Sequence, residues 1–190
     1  MYEKIEECPI CKHTHFENHL ICEDYTTSGE SFALVKCKKC STILTNPRPD
    51  EQSLPSYYKS EDYISHTNSA RSITQILYKL VRSYTLKKKV GLCEQVNGTP
   101  GSLLDFGCGT GHFLSKANQM NWNAYGYEVD PDASEIARKQ NPGKVISELQ
   151  KTDQKFDIIT AWHVLEHVYD LKKTIKQLRK LLNENGHMII

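Results

Sequence analysis

The sequence predicts an α/β chain in which a parallel sheet, covered by helices on both faces, follows a small cysteine-held β module. Three observations lead there. Two C-x-x-C pairs lie within the first 40 residues; from Leu103 onward short apolar runs alternate with helix-spaced segments; and a glycine-rich turn separates the first such run from its helix. A chain of 190 residues has room for one small module and one α/β domain, and because the sequence stops inside an apolar run the second is expected to be C-terminally incomplete.

Residues 1–45 carry Cys8-Pro9-Ile10-Cys11 and Cys37-Lys38-Lys39-Cys40, with 25 residues between the pairs. Phe16 to Cys22 and Ser31 to Cys37 mix β-branched, aromatic and polar residues in short alternation, which predicts two strands. Residues 46–70 contain three prolines and no clear period, so a linker or covering segment is expected, with Tyr57, Tyr58 and Tyr63 packing locally. In residues 71–190, Ile73, Ile76, Leu77, Leu80, Val81 and Tyr84 share one helical face, and Asn97-Gly98 ends that helix.

Leu103 to Phe106 is the first strand of the sheet, and Phe113, Leu114, Ala117 and Met120 mark the helix after it. Ala124 to Glu128 is the second strand. Asp130 caps the next helix with Pro131 at its first position, and Asn141-Pro142-Gly143 stops it. Lys144 to Ser147 and Phe156 to Ala161 are strands three and four. Asp170 to Glu184 is a helix, and His187 to Ile190 opens a fifth strand.

The four paired cysteines have the chemistry of a tetrahedral zinc site, because each C-x-x-C turn presents two sulfurs to one side of an ion. A shell closed by Cys8, Cys11, Cys37 and Cys40 leaves no open position, so the zinc is structural and fastens a segment too small for a self-sufficient core. His13 or His15 is the alternative fourth ligand. Cys22, Cys93 and Cys108 read as ordinary small apolar residues.

Gly107-Cys108-Gly109-Thr110-Gly111 lies between a strand and a helix, where glycines let the backbone turn tightly and approach a ligand closely. Glu128 ends the next strand, where a carboxylate can accept both hydroxyls of a ribose. A nucleotide-type cofactor is implied. NAD fits less well, since its loop runs G-x-G-x-x-G and here Phe113 and Leu114 follow the last glycine closely.

Gly107 to Gly111, Glu128 within Tyr125 to Asp130, and the stretch from Phe156 to Val168 resemble the three signature stretches of class I S-adenosylmethionine-dependent methyltransferases. Residues 70–190 are similar to the methyltransferase-23-like group that includes ubiquinone-type O-methyltransferases. The N-terminal knuckles with Asn46-Pro47-Arg48-Pro49 resemble a zinc-ribbon subgroup, some of it in surface-polysaccharide pathways. The resemblance implies a Rossmann-like sheet of order 3-2-1-4-5, with Asp105, Gly107, Gly109 and Gly111 at the methionine end of the cofactor and Glu128 on its ribose. It also implies Glu148 near the adenine, and Trp162 with His163 closing the pocket. The expected reaction is methyl transfer to a small-molecule acceptor, a sugar or quinone-like hydroxyl. An RNA methyltransferase whose ribbon touches RNA is one alternative, and a non-catalytic binder of the cofactor or of a partner is another.

Residues 1–60 hold 7 basic and 9 acidic groups, which argues against nucleic acid as the main partner. No window approaches the ~20 apolar residues of a membrane span, and the N-terminus has no export signal, so a cytoplasmic address is expected. His163-Val164-Leu165-Glu166-His167 matches the inverted zincin pattern H-x-x-E-H, yet it begins at a strand end with few acids after it. A metalloprotease is therefore not expected, and the Lys87-Lys88-Lys89 run reads as a solvated face.

Overall fold

The computed structural model describes residues 1–25, 27–58 and 73–190. It divides into two compact units, Met1–Ala70 and Arg71–Ile190. In the first, β1 (Tyr2–Glu3) pairs antiparallel with β5 (Arg48–Pro49), and β2 (Phe16–Glu23), β3 (Ser31–Cys37) and β4 (Ile43–Thr45) form an antiparallel sheet in the order β2-β3-β4. The segment expected to link or cover begins by adding β5, and Asn46 exchanges two hydrogen bonds with the Ile5 backbone at 2.9 and 3.0 Å. A 3₁₀ turn, Leu54–Tyr58, follows. Tyr63 and the rest of that segment to residue 70 lie outside the described residues.

Little of this unit is buried. Among its described residues only Cys8, Val35, Cys37 and Pro49 are buried, while Leu20 and Ile21 on β2 are exposed. So few enclosed apolar groups cannot offset the conformational entropy of ordering the segment.

The second unit is a five-stranded parallel sheet. Its strands are β6 (Ser102–Phe106), β7 (Asn123–Tyr127), β8 (Val145–Ile146), β9 (Phe156–Thr160) and β10 (Leu182–Ile189), ordered β10-β9-β6-β7-β8. All four pairings are parallel, and the order is the 3-2-1-4-5 that the family resemblance implies. Successive strand residues point to opposite faces, so Leu103 and Ile158 join one core and Leu104 and Ile159 the other. The first core includes Val90 and Cys93 of helix α1 (Ile73–Asn97) and Phe113, Leu114 and Ala117 of α2 (His112–Gln119). The second core takes Leu178 and Leu181 of α4 (Leu171–Leu181). Between these helices in sequence, α3 (Pro131–Gln140) starts as expected: Asp130 Oδ1 accepts from the Ala133 N–H at 2.8 Å, with Pro131 at the first position.

Two expectations need correction. The apolar face expected on the first half of α1 is not the buried one, since Leu77, Leu80, Val81 and Tyr84 are exposed and burial sits two turns later, at Val90 and Cys93. At about 3.6 residues per turn, Leu86, Val90 and Cys93 lie on the opposite side of the helix from Leu77, Leu80, Val81 and Tyr84, so the apolar period of the first half marks a face that the sheet does not use. The side chains of Ile73 and Ile76 lie outside the described residues. The last helix stops at Leu181, short of Glu184, because Leu182 already pairs with Phe156 of β9 and Asn183 Nδ2 donates to Asp157 Oδ1 at 2.6 Å. Gly186 completes this irregular entry to β10, where a Cβ would stand 2.8 Å from the Phe156 carbonyl oxygen.

Candidate functional site

The strand order reverses between β6 and β9, and the carboxyl ends of a parallel sheet open a crevice at such a switch point. The glycine turn forms its floor. Gly107 and Cys108 both donate backbone N–H to the Tyr127 carbonyl, at 2.8 and 3.0 Å, which folds the loop over the end of β7. Gly107 has φ +75, and a Cβ there would come within 2.4 Å of Val164 Cγ2, so only glycine fits. Gly109 has φ +53 but no atom within 4 Å of an added Cβ, so its bare face opens on free space.

Glu128 meets this loop directly. Its Oε2 accepts from the Gly109 N–H at 2.8 Å, while Oε1 accepts from Val129 and Asp130 N–H at 2.8 and 2.9 Å. Asn141, expected only to stop a helix, is buried and donates through Nδ2 to the Gly111 carbonyl at 3.2 Å, while its Oδ1 accepts from Ser115 at 2.9 Å. It ties the far end of the glycine turn to α3.

Asp105 is enclosed beneath the turn, and Thr160 Oγ1 donates to its Oδ1 at 2.8 Å. Burial pushes its carboxyl up to about 7; the Thr160 hydroxyl and the charge of Lys89 oppose the rise and Glu128 adds to it. Because the native state favours the protonated form, this group's contribution to stability is complete below its ordinary carboxylate range and is lost as pH rises through about 7. Both tryptophans of the chain, Trp122 and Trp162, lie in this unit, so intrinsic fluorescence reports its melting. Between pH 5 and 7 the ligand-free protein is expected to lose on the order of 2–3 kcal/mol of stability, read as a falling melting midpoint. Asp105→Asn should flatten that slope; an unchanged slope would show that another group controls it.

Trp162, just past β9, stacks edge-on against Phe113 with ring centroids 5.9 Å apart and carries Lys89 Nζ 4.5 Å from its ring centroid. Its Nε1 is buried with no hydrogen-bond partner. Lys89, read from the sequence as part of a solvated run, is half-buried here and acts on Asp105. Arg82 Nη1, also on α1, donates to His112 Nε2 at 3.1 Å. Burial and that guanidinium keep the His112 ring below the ordinary histidine range, and therefore neutral. Sequence reading missed these α1 cations, since only the packing of α1 on the sheet brings them to the crevice.

His163 follows Trp162 at φ +55, left-handed backbone that a non-glycine residue adopts at a cost, but its side chain is 86% exposed. Its Nδ1 lies 3.8 Å from Glu166 Oε1, and Leu165–His167 is a short 3₁₀ turn instead of the long helix a zincin needs. Glu148 is exposed beyond β8 and paired with Lys151 at 2.7 Å. The structure thus brings Asp105, the three glycines and Glu128 together, places Trp162 beside them through Phe113 and Lys89, and leaves Glu148 and His163 on the surface. The open face at Gly109, the carboxylate at the tip of β7 and the orphaned Trp162 N–H fit a nucleoside cofactor with polar edges.

In the N-terminal unit the thiols of Cys8, Cys11, Cys37 and Cys40 all lie within 4.8 Å of one another, and no other such group occurs among the described residues. Cys8 to Cys40 is 3.6 Å and Cys11 to Cys37 is 3.5 Å. A tetrahedral ion with metal–sulfur bonds of about 2.3 Å requires sulfur separations of about 3.8 Å, so the donors fit. The two knuckles share one geometry. Lys12 and Ser41, each following the second cysteine of its pair, have φ +63 and +60, and each donates its N–H to the carbonyl of the first cysteine. The Thr42 side chain and backbone hold the Cys40 thiol down to about 6, whereas, against a backbone hydrogen bond from His13, burial and the three neighbouring thiols push Cys11 up to about 12, so the ligand-free cluster favours one thiolate and resists the next. His13 and His15 stack on each other 5.1 Å apart and stay out of the cluster. Burial pushes the Cys93 and Cys108 thiols up to about 12, as expected of inert core groups.

No helix among the described residues is long and apolar enough to cross a membrane. Residues 78–190 match the family model described as a methyltransferase domain. The chain is 33% identical over 96 residues to the ubiquinone biosynthesis O-methyltransferase of Pelagibacter ubique (46% of this chain, 40% of the relative). It is 28% identical over 116 residues to that of Pasteurella multocida (50% and 48%). The chain therefore spans less than half the length of these relatives. Among solved structures, magnesium protoporphyrin IX methyltransferase of Synechocystis with bound S-adenosylmethionine shares the fold at a TM-score of 0.53 and 18% identity, covering 73% of this chain and 75% of the other. With more than half of its length matching that family model, the chain belongs to the methyltransferase-domain family of class I, S-adenosylmethionine-dependent enzymes.

Proposed function

We propose that the protein transfers a methyl group from S-adenosylmethionine to a hydroxyl of a small molecule, and that its N-terminal unit is a ribbon held by one structural zinc. The observation that carries the reading is the contact of Glu128 with the Gly109 N–H, because it brings a ribose-binding carboxylate onto a turn with an open backbone face. When bound, S-adenosylmethionine supplies a methyl already activated by its sulfonium. The chain's own task is then positioning and exclusion of water. Glu128 would exchange the Gly109 and Val129 N–H groups for ribose hydroxyls, Asp105 and the glycine turn would hold the methionine end, and Lys89 and Arg82 would balance its carboxylate. Trp162 would wall the pocket beside Phe113, with Glu148 and His163 at its rim.

The acceptor class rests on two supports. The curated relatives are O-methyltransferases by name, and the N-terminal unit shows no excess of basic residues for RNA. Four closely spaced thiols serving a metal also fit a reducing compartment such as the cytoplasm.

Glu128→Ala removes the hydrogen bonds its carboxylate accepts from Gly109, Val129 and Asp130, so it should lower the melting of the C-terminal unit without unfolding it and weaken S-adenosylmethionine binding roughly a hundredfold by calorimetry at a temperature where the variant is folded. Equal affinity in the variant would refute the pocket assignment. Incubation with labelled donor should transfer label to a metabolite extract and not to total RNA; label in RNA alone would overturn the acceptor class.

A further inference from the structure

The N-terminal unit contains a second recognition feature, an open cleft of about 530 Å³ lined by Tyr2, Glu30, Ser31, Phe32, Ala33 and Pro47. That size is within the range of small-molecule pockets, about 300–1,000 Å³. Two of the lining residues are aromatic, and Tyr57 packs on one of them. Tyr2 and Phe32 are 6.3 Å apart, and Tyr57 meets Phe32 edge-on at 5.8 Å. Both tyrosine hydroxyls converge on one oxygen of Glu30, Tyr2 in a short hydrogen bond and Tyr57 at 2.8 Å. Oε1 is left without a partner among the described residues. The two donated hydrogen bonds hold the carboxyl below its usual range, so it is negative at neutral pH.

No lysine or arginine lines the cleft. The nearest basic residue of β5, Arg48, is engaged by Glu3 at 2.7 Å. Tyr2 is held in place before any ligand arrives: β1 pairs with β5 through Tyr2 and Pro49, and the Asp50 N–H donates to the Met1 carbonyl at 2.9 Å. Aromatic faces around a carboxylate with no lysine or arginine in the lining, its charge offset only in part by the N-terminal ammonium that pairs with Asp50 at 3.5 Å, complement an alkylammonium group through ring quadrupole and charge together. We propose that this cleft binds a small organic cation of the substituted-ammonium class, on Glu30 and the rings of Tyr2 and Phe32, with Tyr57 holding Glu30 and Phe32 in place.

The cleft lies wholly within the N-terminal unit and its occupancy does not depend on the methyltransferase reading. The test uses the zinc-loaded full chain, with choline as probe and its uncharged isostere 3,3-dimethylbutan-1-ol as control, read from the backbone amide shifts of Ser31, Phe32 and Ala33. Choline should give saturable shifts with Kd below about 1 mM, and the isostere should bind at least about tenfold more weakly. Glu30→Gln should weaken choline binding by a similar factor, with the amide spectrum outside the cleft unchanged. Should that variant misfold, salt titration of the wild-type protein replaces it, since affinity for a cation on an exposed carboxylate falls with ionic strength. Equal binding of the neutral isostere, salt-independent binding, or no saturable shift with choline up to about 50 mM would each overturn the proposal.

Discussion

Chelating the metal, or replacing Cys37 by serine, is expected to unfold the N-terminal unit and leave the C-terminal unit standing. The reason is the near absence of any other core: apart from two of the ligands themselves, only Val35 and Pro49 are buried among the described residues of that unit. A structural zinc held by four thiolates contributes an apparent ~10–16 kcal/mol to such small folds, which exceeds anything the β2–β3 hairpin can supply. One zinc per chain is therefore expected in the wild-type protein and a small fraction of that in Cys37→Ser. The amide dispersion of residues 1–58 should collapse, whereas tryptophan fluorescence should keep its native position because Trp122 and Trp162 belong to the other unit. If zinc is absent from the purified chain and the hairpin remains ordered, the four cysteines are buried thiols and nothing more.

The second large effect concerns two glycines that are neighbours in sequence and opposites in surroundings. Alanine at Gly107 combines left-handed backbone with a Cβ 2.4 Å from Val164 Cγ2 and 2.9 Å from Cγ1, so both strain and overpacking fall on the folded state. A loss of roughly 2–5 kcal/mol and of cofactor binding is expected. Alanine at Gly109 meets nothing within 4 Å, so only the left-handed backbone costs, about 1 kcal/mol, and the fold survives. Its Cβ nevertheless projects into the free space where a ligand would approach the backbone. The expected signature is an intact melting curve with affinity for S-adenosylmethionine reduced at least about a hundredfold. Normal affinity in Gly109→Ala would mean that the turn does not face the cofactor.

The comparison between these two positions also shows how far the sequence reaches. Alternate glycines after an apolar run announce a tight turn at Gly107 to Gly111, and the acid ending the next run marks Glu128 as its partner. Both are local signals, readable because strand, turn and helix chemistry depend on neighbours in the chain. Which glycine is packed and which is open depends on Val164, more than fifty residues away, and no local pattern reports it. The same limit explains α1. Its period was legible, but the exposure of Leu80 and Tyr84 and the burial of Val90 follow from where the helix lies on the sheet.

What the sequence alone determined was the inventory: four thiols in two knuckles, five strands alternating with helices, a capped α3, and a glycine turn followed by a carboxylate, the spatial order 3-2-1-4-5 being implied only by the family resemblance. These follow from hydrophobic period, turn residues and ligand spacing, all set within a few residues. Only the tertiary structure decided the electrostatics. It enclosed Asp105 with Thr160 and raised its affinity for a proton, brought Lys89 over Trp162, kept Glu148 and His163 at the surface, and gathered Tyr2, Glu30 and Tyr57 around one cleft. Charge and burial are properties of the surroundings, and the surroundings are assembled from parts of the chain that are remote from one another in sequence.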